Sequence, residues 1–236
     1  MAEWSNAAVL KTVEAKVSGG SNPSLSANPI MDERIGVDES GKGDYFGPLV
    51  VAACFVGPEH LTELEGVRDS KKLTDKQAIF FSNQIRRACP HSVISIGPAK
   101  YNELYDKMRN LNDLLAWGHA RAIENVLDER DCALVISDQF AKPDTVKRRL
   151  FEKGKSVVLE SVVRAESDLA VAAASVLARA EFLRKLRYLS EEWDIDLPKG
   201  AGQPVLEAGK RFIAKHGIDK LGQAAKLHFK TTAQLR

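Results

Sequence analysis

Asp38 and Glu39 stand side by side at the end of a short apolar run, Ile35-Gly36-Val37. A glycine-rich stretch follows, with Gly41, Gly43 and Gly47, and a second apolar run leaves it from Leu49 to Val56. Acids can hold a metal ion, and glycines let the backbone come close to a ligand. Side chains on adjacent strand positions point to opposite faces, so both acids reach one site only where the strand ends or bulges. The glycine turn provides such an end. The pair taken alone equally fits exposed charge at a strand terminus.

Asp138 shifts the balance. It lies just past a second apolar run, Ala133-Leu-Val-Ile136, where a carboxylate is costly unless paired or bound to metal. Glu166 and Asp168 stand at the start of an alanine-rich segment. Acids in a first helical turn also cap the helix and match its dipole, so both roles stay open for Asp168. Carboxylates drawn from strand ends, with no His/Cys ligand spacing, suit Mg²⁺ or Mn²⁺ rather than Zn²⁺. Two such ions about 4 Å apart can activate a water and stabilise the leaving oxygen in phosphodiester hydrolysis. No Ser-His-Asp order or Gly-x-Ser-x-Gly elbow competes, and Gly41-Lys42-Gly43 lacks the spacing of a P-loop. The bare backbone of the turn can instead approach a ribose, whose 2′-hydroxyl separates RNA from DNA. Lys42, Lys71 and Lys72 are then placed to meet phosphates.

The elements that must position these residues follow from periodicity. Residues 35–39 and 48–56 read as strands, the second apolar throughout and so buried on both faces. Thr74 begins a helix that runs to Ala88, with apolar spacing at Ala78, Phe81 and Ile85. His91 to Ile96 is strand-like, Pro98 opens a helical region, and Leu111 to Leu127 is a well-patterned helix. Strand 133–136, helix 144–151, strand 156–161 and a long helix from Leu169 to about Arg187 come next. A Pro/Gly turn (197–204), a helix (205–215) and a basic segment close the chain. Strands mixed with helices, hairpin first, indicate an α/β domain with a mixed sheet. Residues 1–31 read as an extension with a short helix (9–17) and a Gly/Ser/Asn/Pro linker (18–29), leaving 32–236 as the folded domain.

With 236 residues the chain can bury a substantial core. From Lys199 to Arg236 eight Lys/Arg stand against two acids, +6, which leaves −4 for the preceding residues of a chain whose net charge is +2. Basic charge gathered at one end suggests a polyanion partner, although a solvated basic face is the plainer alternative. Cys54, Cys89 and Cys132 have no metal-ligand spacing and fit free thiols in a reducing compartment. No secretory segment or long apolar run is found, so a cytoplasmic protein without a membrane span is expected, with a monomer as the default.

Five stretches carry a resemblance. Gly36-Val-Asp-Glu-Ser-Gly-Lys-Gly-Asp-Tyr-Phe-Gly-Pro48, Asp69-Ser-Lys-Lys-Leu73 and Ala172-Ala-Ala-Ser-Val-Leu-Ala-Arg179 resemble the type 2 ribonucleases H. Gly43 to Pro48, Leu197-Pro-Lys-Gly-Ala201 and Ala225-Lys-Leu-His-Phe-Lys230 resemble the ribonuclease HIII branch. The resemblance implies an RNase H-like fold and endonucleolytic hydrolysis of the RNA strand of RNA/DNA hybrids, leaving 5′-phosphate and 3′-hydroxyl ends. It implies Asp38, Glu39 and Asp138 as metal-binding acids with Glu166 as the fourth, and Gly41, Lys42 and Gly43 as the turn that holds the ribonucleotide. Two departures accompany it. No tyrosine follows Lys199-Gly200, where ribonucleases HII carry one for RNA–DNA junctions. The residues ahead of Asp38 are also too few for the substrate-binding domain usual in the HIII branch. A non-catalytic hybrid-binding module on the same fold is the alternative, which the intact acids disfavour.

Overall fold

The computed structural model describes residues 32–67, 72–138, 144–162 and 165–236. The expectations for residues 1–31 and for Asp69 to Lys71 lie outside these. Five strands form one sheet: β1 (Arg34–Ser40), β2 (Leu49–Val56), β3 (His91–Ile96), β4 (Leu134–Asp138) and β5 (Val158–Val162). Their order is β3-β2-β1-β4-β5, so β1 is central. It pairs antiparallel with β2 and parallel with β4, which makes the sheet mixed as expected. All eight residues of β2 are buried, in keeping with its unbroken apolar run.

Helices cover both faces. On one lie α2 (Pro98–Met108), α3 (Leu111–Glu129) and the single turn α4 (Asp144–Lys147). Ile35, Val37, Val51 and Phe55 pack there against Leu114, Leu115, Ala122 and Ile123. On the other lie α1 (Asp75–Ala88), α5 (Leu169–Trp193) and α6 (Gln203–His216). Val50, Ala52 and Cys54 pack against Ala172, Ala173, Val176 and Leu177 of α5, with Phe212 of α6 behind them. The alanine run lets α5 lie almost on the backbone of β1. A Cβ placed on Gly36 would overlap the main chain of Ala170 and Val171.

Thr74 caps α1 through a reciprocal pair of bonds with Gln77. Three boundaries differ from the periodicity. The helix expected over 144–151 stops at Lys147, because Arg149 and Leu150 tighten into i→i+3 bonds with Val146 and Lys147. The strand expected from Ser156 starts at Val158, because the Ser156 hydroxyl donates to the Lys153 carbonyl and closes a 3-10 turn. Helix α5 runs past Arg187 to Trp193, where Asp194 ends it in a left-handed conformation (φ 47°). The basic segment is a 3-10 turn (Ile218–Gln223) followed by a short helix, α7 (Lys230–Leu235).

Candidate active site

The central strand and its parallel neighbour deliver the acids. Ile35, Gly36 and Val37 pair with Val135, Ile136 and Ser137. One step further along that register sets Asp38 beside Asp138, at a strand spacing of about 4.8 Å. Asp38 faces α5, and its carboxylate accepts the Ser175 hydroxyl there and the Glu39 backbone N–H at 2.8 Å. Glu39 faces the opposite helix layer. His119 of α3, wholly buried, donates from Nε2 to Glu39 Oε2 at 3.1 Å, and its Nδ1 lies 3.2 Å from Ser137 Oγ. Lys42 Nζ is 3.5 Å from Glu39 Oε1. Alternation thus sends the two acids toward opposite helix layers, yet at the end of β1 their carboxylates stay close enough for the Glu39 charge to act on Asp38. Asp138 is the last residue of β4, and its Oδ1 accepts the Ala165 N–H at 3.2 Å. That bond draws the 3-10 turn Ala165–Ser167, which carries Glu166, to the end of β4. The Glu166 side chain lies outside the described residues.

The acid left open at the start of α5 is now committed. Asp168 Oδ1 accepts the N–H groups of Ala170 and Val171, and Oδ2 pairs with Arg34 at 3.0 Å. Asp168 is the helix cap.

Burial first, and then the neighbouring Glu39 charge, push the Asp38 carboxyl up to about 7 against the opposing pull of its hydrogen bonds and His119. Burial also raises Glu39, but the His119 hydrogen bond and the His119 and Lys42 charges outweigh it and leave Glu39 below its usual range. Among the described residues no three acid, histidine or cysteine side chains gather closely enough to hold an ion by themselves. The donors still fit a hard divalent cation. Asp38 is a buried all-oxygen ligand whose charge is incompletely compensated, with a second carboxylate on the adjacent strand.

The glycine turn has two distinct parts. Gly41 is buried with φ +87°, and a Cβ there would overlap the Pro48 carbonyl, so it bends the chain. Gly43 is exposed, with open space where a Cβ would be, so a ligand's backbone or sugar can approach it. Lys42 is half-buried beside Glu39, Lys72 is exposed, and Lys71 lies outside the described residues. Lys199 pairs with Asp75 at 2.6 Å, while the Gly200 N–H donates to the Asp44 carboxylate at 2.6 Å and the Gly200 carbonyl accepts the Tyr45 N–H at 2.8 Å.

One expectation is corrected. Lys226, one of the eight basic residues that suggested a polyanion partner, is 0% exposed and bound to main-chain carbonyls. His119 and Ser175 also escape sequence reasoning. Each is a polar residue within an apolar helical run, and its spacing from the acids is visible only once the layers are stacked.

Comparison with known proteins bears on the fold and the family. The sequence pattern of the ribonuclease HII family matches residues 35–232. Ribonuclease HIII of Protochlamydia amoebophila (strain UWE25) is 45% identical over 215 residues, spanning 90% of this chain and 71% of that protein. Ribonuclease HIII of Chlamydia pneumoniae is 44% identical over 203 residues, spanning 84% and 68%. The Mn²⁺ complex of Bst-RNase HIII superposes with a TM-score of 0.82 at 35% identity, covering 91% of this chain and 73% of that one. Aquifex aeolicus RNase H3 gives 0.67 at 32% identity, covering 83% and 72%. The mixed sheet is therefore an RNase H-like fold, and the chain belongs to the ribonuclease HII family, alongside proteins named ribonuclease HIII.

Proposed function

We propose that this chain is a metal-dependent endoribonuclease that hydrolyses the RNA strand of RNA/DNA hybrids, giving 5′-phosphate and 3′-hydroxyl ends. The observation that carries it is that Asp38 and Asp138 each follow directly on the last paired residues of parallel strands, Val37 and Ser137, beside a turn whose Gly43 lies open. Asp38, Glu39, Asp138 and Glu166 would hold two Mg²⁺ or Mn²⁺ ions. The chemistry such ions would supply there is activation of a water and neutralisation of charge on the leaving oxygen. The relative solved with Mn²⁺ supports this metal class.

The chain's own residues supply position and charge. Ser175 and the Glu39 N–H fix the rotamer of Asp38, and His119 fixes that of Glu39. The Ala165 N–H holds Asp138. Gly43 admits a ribose, while Lys42 and Lys72, with Lys71 between turn and helix in sequence, meet phosphates. Residues 1–31 would be a separate extension to this unit. Among the described residues no helix is long and apolar enough to cross a membrane. The three cysteines are free thiols, which supports a reducing, cytoplasmic setting. We take the protein to act as a monomer.

Asp138→Asn tests the assignment. It should lower hybrid cleavage in Mn²⁺ by at least about 10³-fold, the scale of losing an essential charge-stabilising group, while hybrid affinity stays close to that of the parent protein. Undiminished cleavage would remove Asp138 from the site. Running a uniform hybrid, a duplex with one ribonucleotide and double-stranded RNA side by side defines the substrate.

A further inference from the structure

Lys226 is a lysine with no exposure at all, and it spends its hydrogen bonds on one loop. Its Nζ donates to the carbonyls of Asp44 at 2.7 Å and Gly47 at 2.7 Å, with that of Phe46 at 3.4 Å. Its backbone N–H takes the remaining carbonyl of the series, that of Tyr45, at 2.8 Å. Four consecutive carbonyls of the glycine turn, residues 44 to 47, therefore end on one residue about 180 positions away. The attachment is reinforced around it. Gly47 N–H donates to Ala224, Phe46 bridges to Ala225, and Tyr45 Oη lies 3.0 Å from Thr232 Oγ1. The Tyr101 ring, with its centroid 5.8 Å from Nζ, lines the same interior.

A buried ammonium is costly unless every proton finds an acceptor. Burial pushes Lys226 down to about 7, with the Asp44 charge pulling the other way, and the three carbonyls further favour the protonated form. A neutral side chain of similar length would fill the space without that cost. What it could not do is converge three carbonyls on a point. The ammonium occupies the centre of an oxygen cage, and the cage is the inner side of the turn whose outer side includes Gly43.

We propose that Lys226 is a positioning residue for substrate choice: by gathering the carbonyls of residues 44 to 47 it sets the shape of the turn that meets the ribose. The inference rests on the reading of that turn given under Proposed function. Lys226 touches neither the acids nor the substrate, so its loss should leave metal binding intact and act on sugar recognition.

The test compares Lys226→Met with the parent protein. Three quantities are read: affinity for an RNA/DNA hybrid and for the same-sequence DNA duplex in EDTA, Mn²⁺ affinity by electron paramagnetic resonance, and kcat/KM on the hybrid. The hybrid-over-DNA preference should fall about tenfold, the scale of one or two misplaced hydrogen bonds, with kcat/KM falling alongside it and Mn²⁺ affinity unchanged. Lys226→Gln keeps two donors, should lose less, and serves if the methionine variant does not fold. An unchanged preference in a folded variant overturns the inference. So does a loss that appears equally in Mn²⁺ affinity, which would indicate general loosening. A parent protein with no preference for hybrid over DNA would instead overturn the reading of the turn itself.

Discussion

Asp38 shows how a residue's environment can work against the fold for the sake of a ligand. Its carboxyl is raised from 3.8 to about 7 by burial and the Glu39 charge. With the folded value above the unfolded one, the folded state binds the extra proton, and stability falls as pH rises from about 4 to 7. The cost is fully present above 7. Asp38→Asn should therefore abolish cleavage yet stabilise the metal-free protein at pH 8, by an amount on the order of a few kcal/mol, with a smaller gain at pH 5. Urea denaturation in EDTA at the two pH values measures this, and equal gains at both would exclude the charge as the cause. The positions of Asp38, Glu39 and Asp138 toward strand ends are legible in the sequence because acids closing apolar runs stand out. His119 was not. A histidine within Leu114-Leu-Ala-Trp-Gly-His-Ala120 reads as core, and its bond to Glu39 spans 80 positions.

At the level of elements, the site depends on how closely α5 lies on β1. That approach sets Ser175 against Asp38, and it requires Gly36 to have no side chain. Gly36→Ala should push helix and strand apart. The expected loss is at the upper end of the ~1–3 kcal/mol typical of overpacking, because backbone rather than a mobile side chain is displaced. Chemical denaturation reads the loss of stability, and the same variant should lose activity as Asp38 and Ser175 separate. A stability within about 0.5 kcal/mol of the parent, the range of neutral surface changes, would show that the layers can yield. Apolar periodicity revealed most elements here, including β2 and the cap at Thr74. It failed over 144–157, where short i→i+3 turns and the Ser156 hydroxyl set the boundaries. Local polar bonds of that kind leave no periodic trace.

Across the whole molecule, the C-terminal basic segment divides by what each charge touches. Lys199, Lys210 and Lys215 pair with Asp75, Glu207 and Asp194. Lys226 is interior. Lys230, exposed at the start of α7, adjoins Phe229, whose ring packs 5.9 Å from that of Tyr45 in the glycine turn. Lys230→Gln should therefore weaken hybrid binding at low salt and reduce the slope of log affinity against log salt by about 0.9, one phosphate contact. An unchanged slope would place Lys230 away from the backbone of the substrate. The sequence count gave the segment its sign but could not separate paired, buried and open charges, since the partners lie in distant parts of the chain. The distance between the glycine turn and Lys226 also has a temporal side. A ribosome adds about 5–20 residues per second, so the turn waits on the order of 10–40 s for the residue that gathers its carbonyls. Until then the acids and glycines are already made, while the carbonyls of residues 44 to 47 still lack the side chain that holds them in the folded protein.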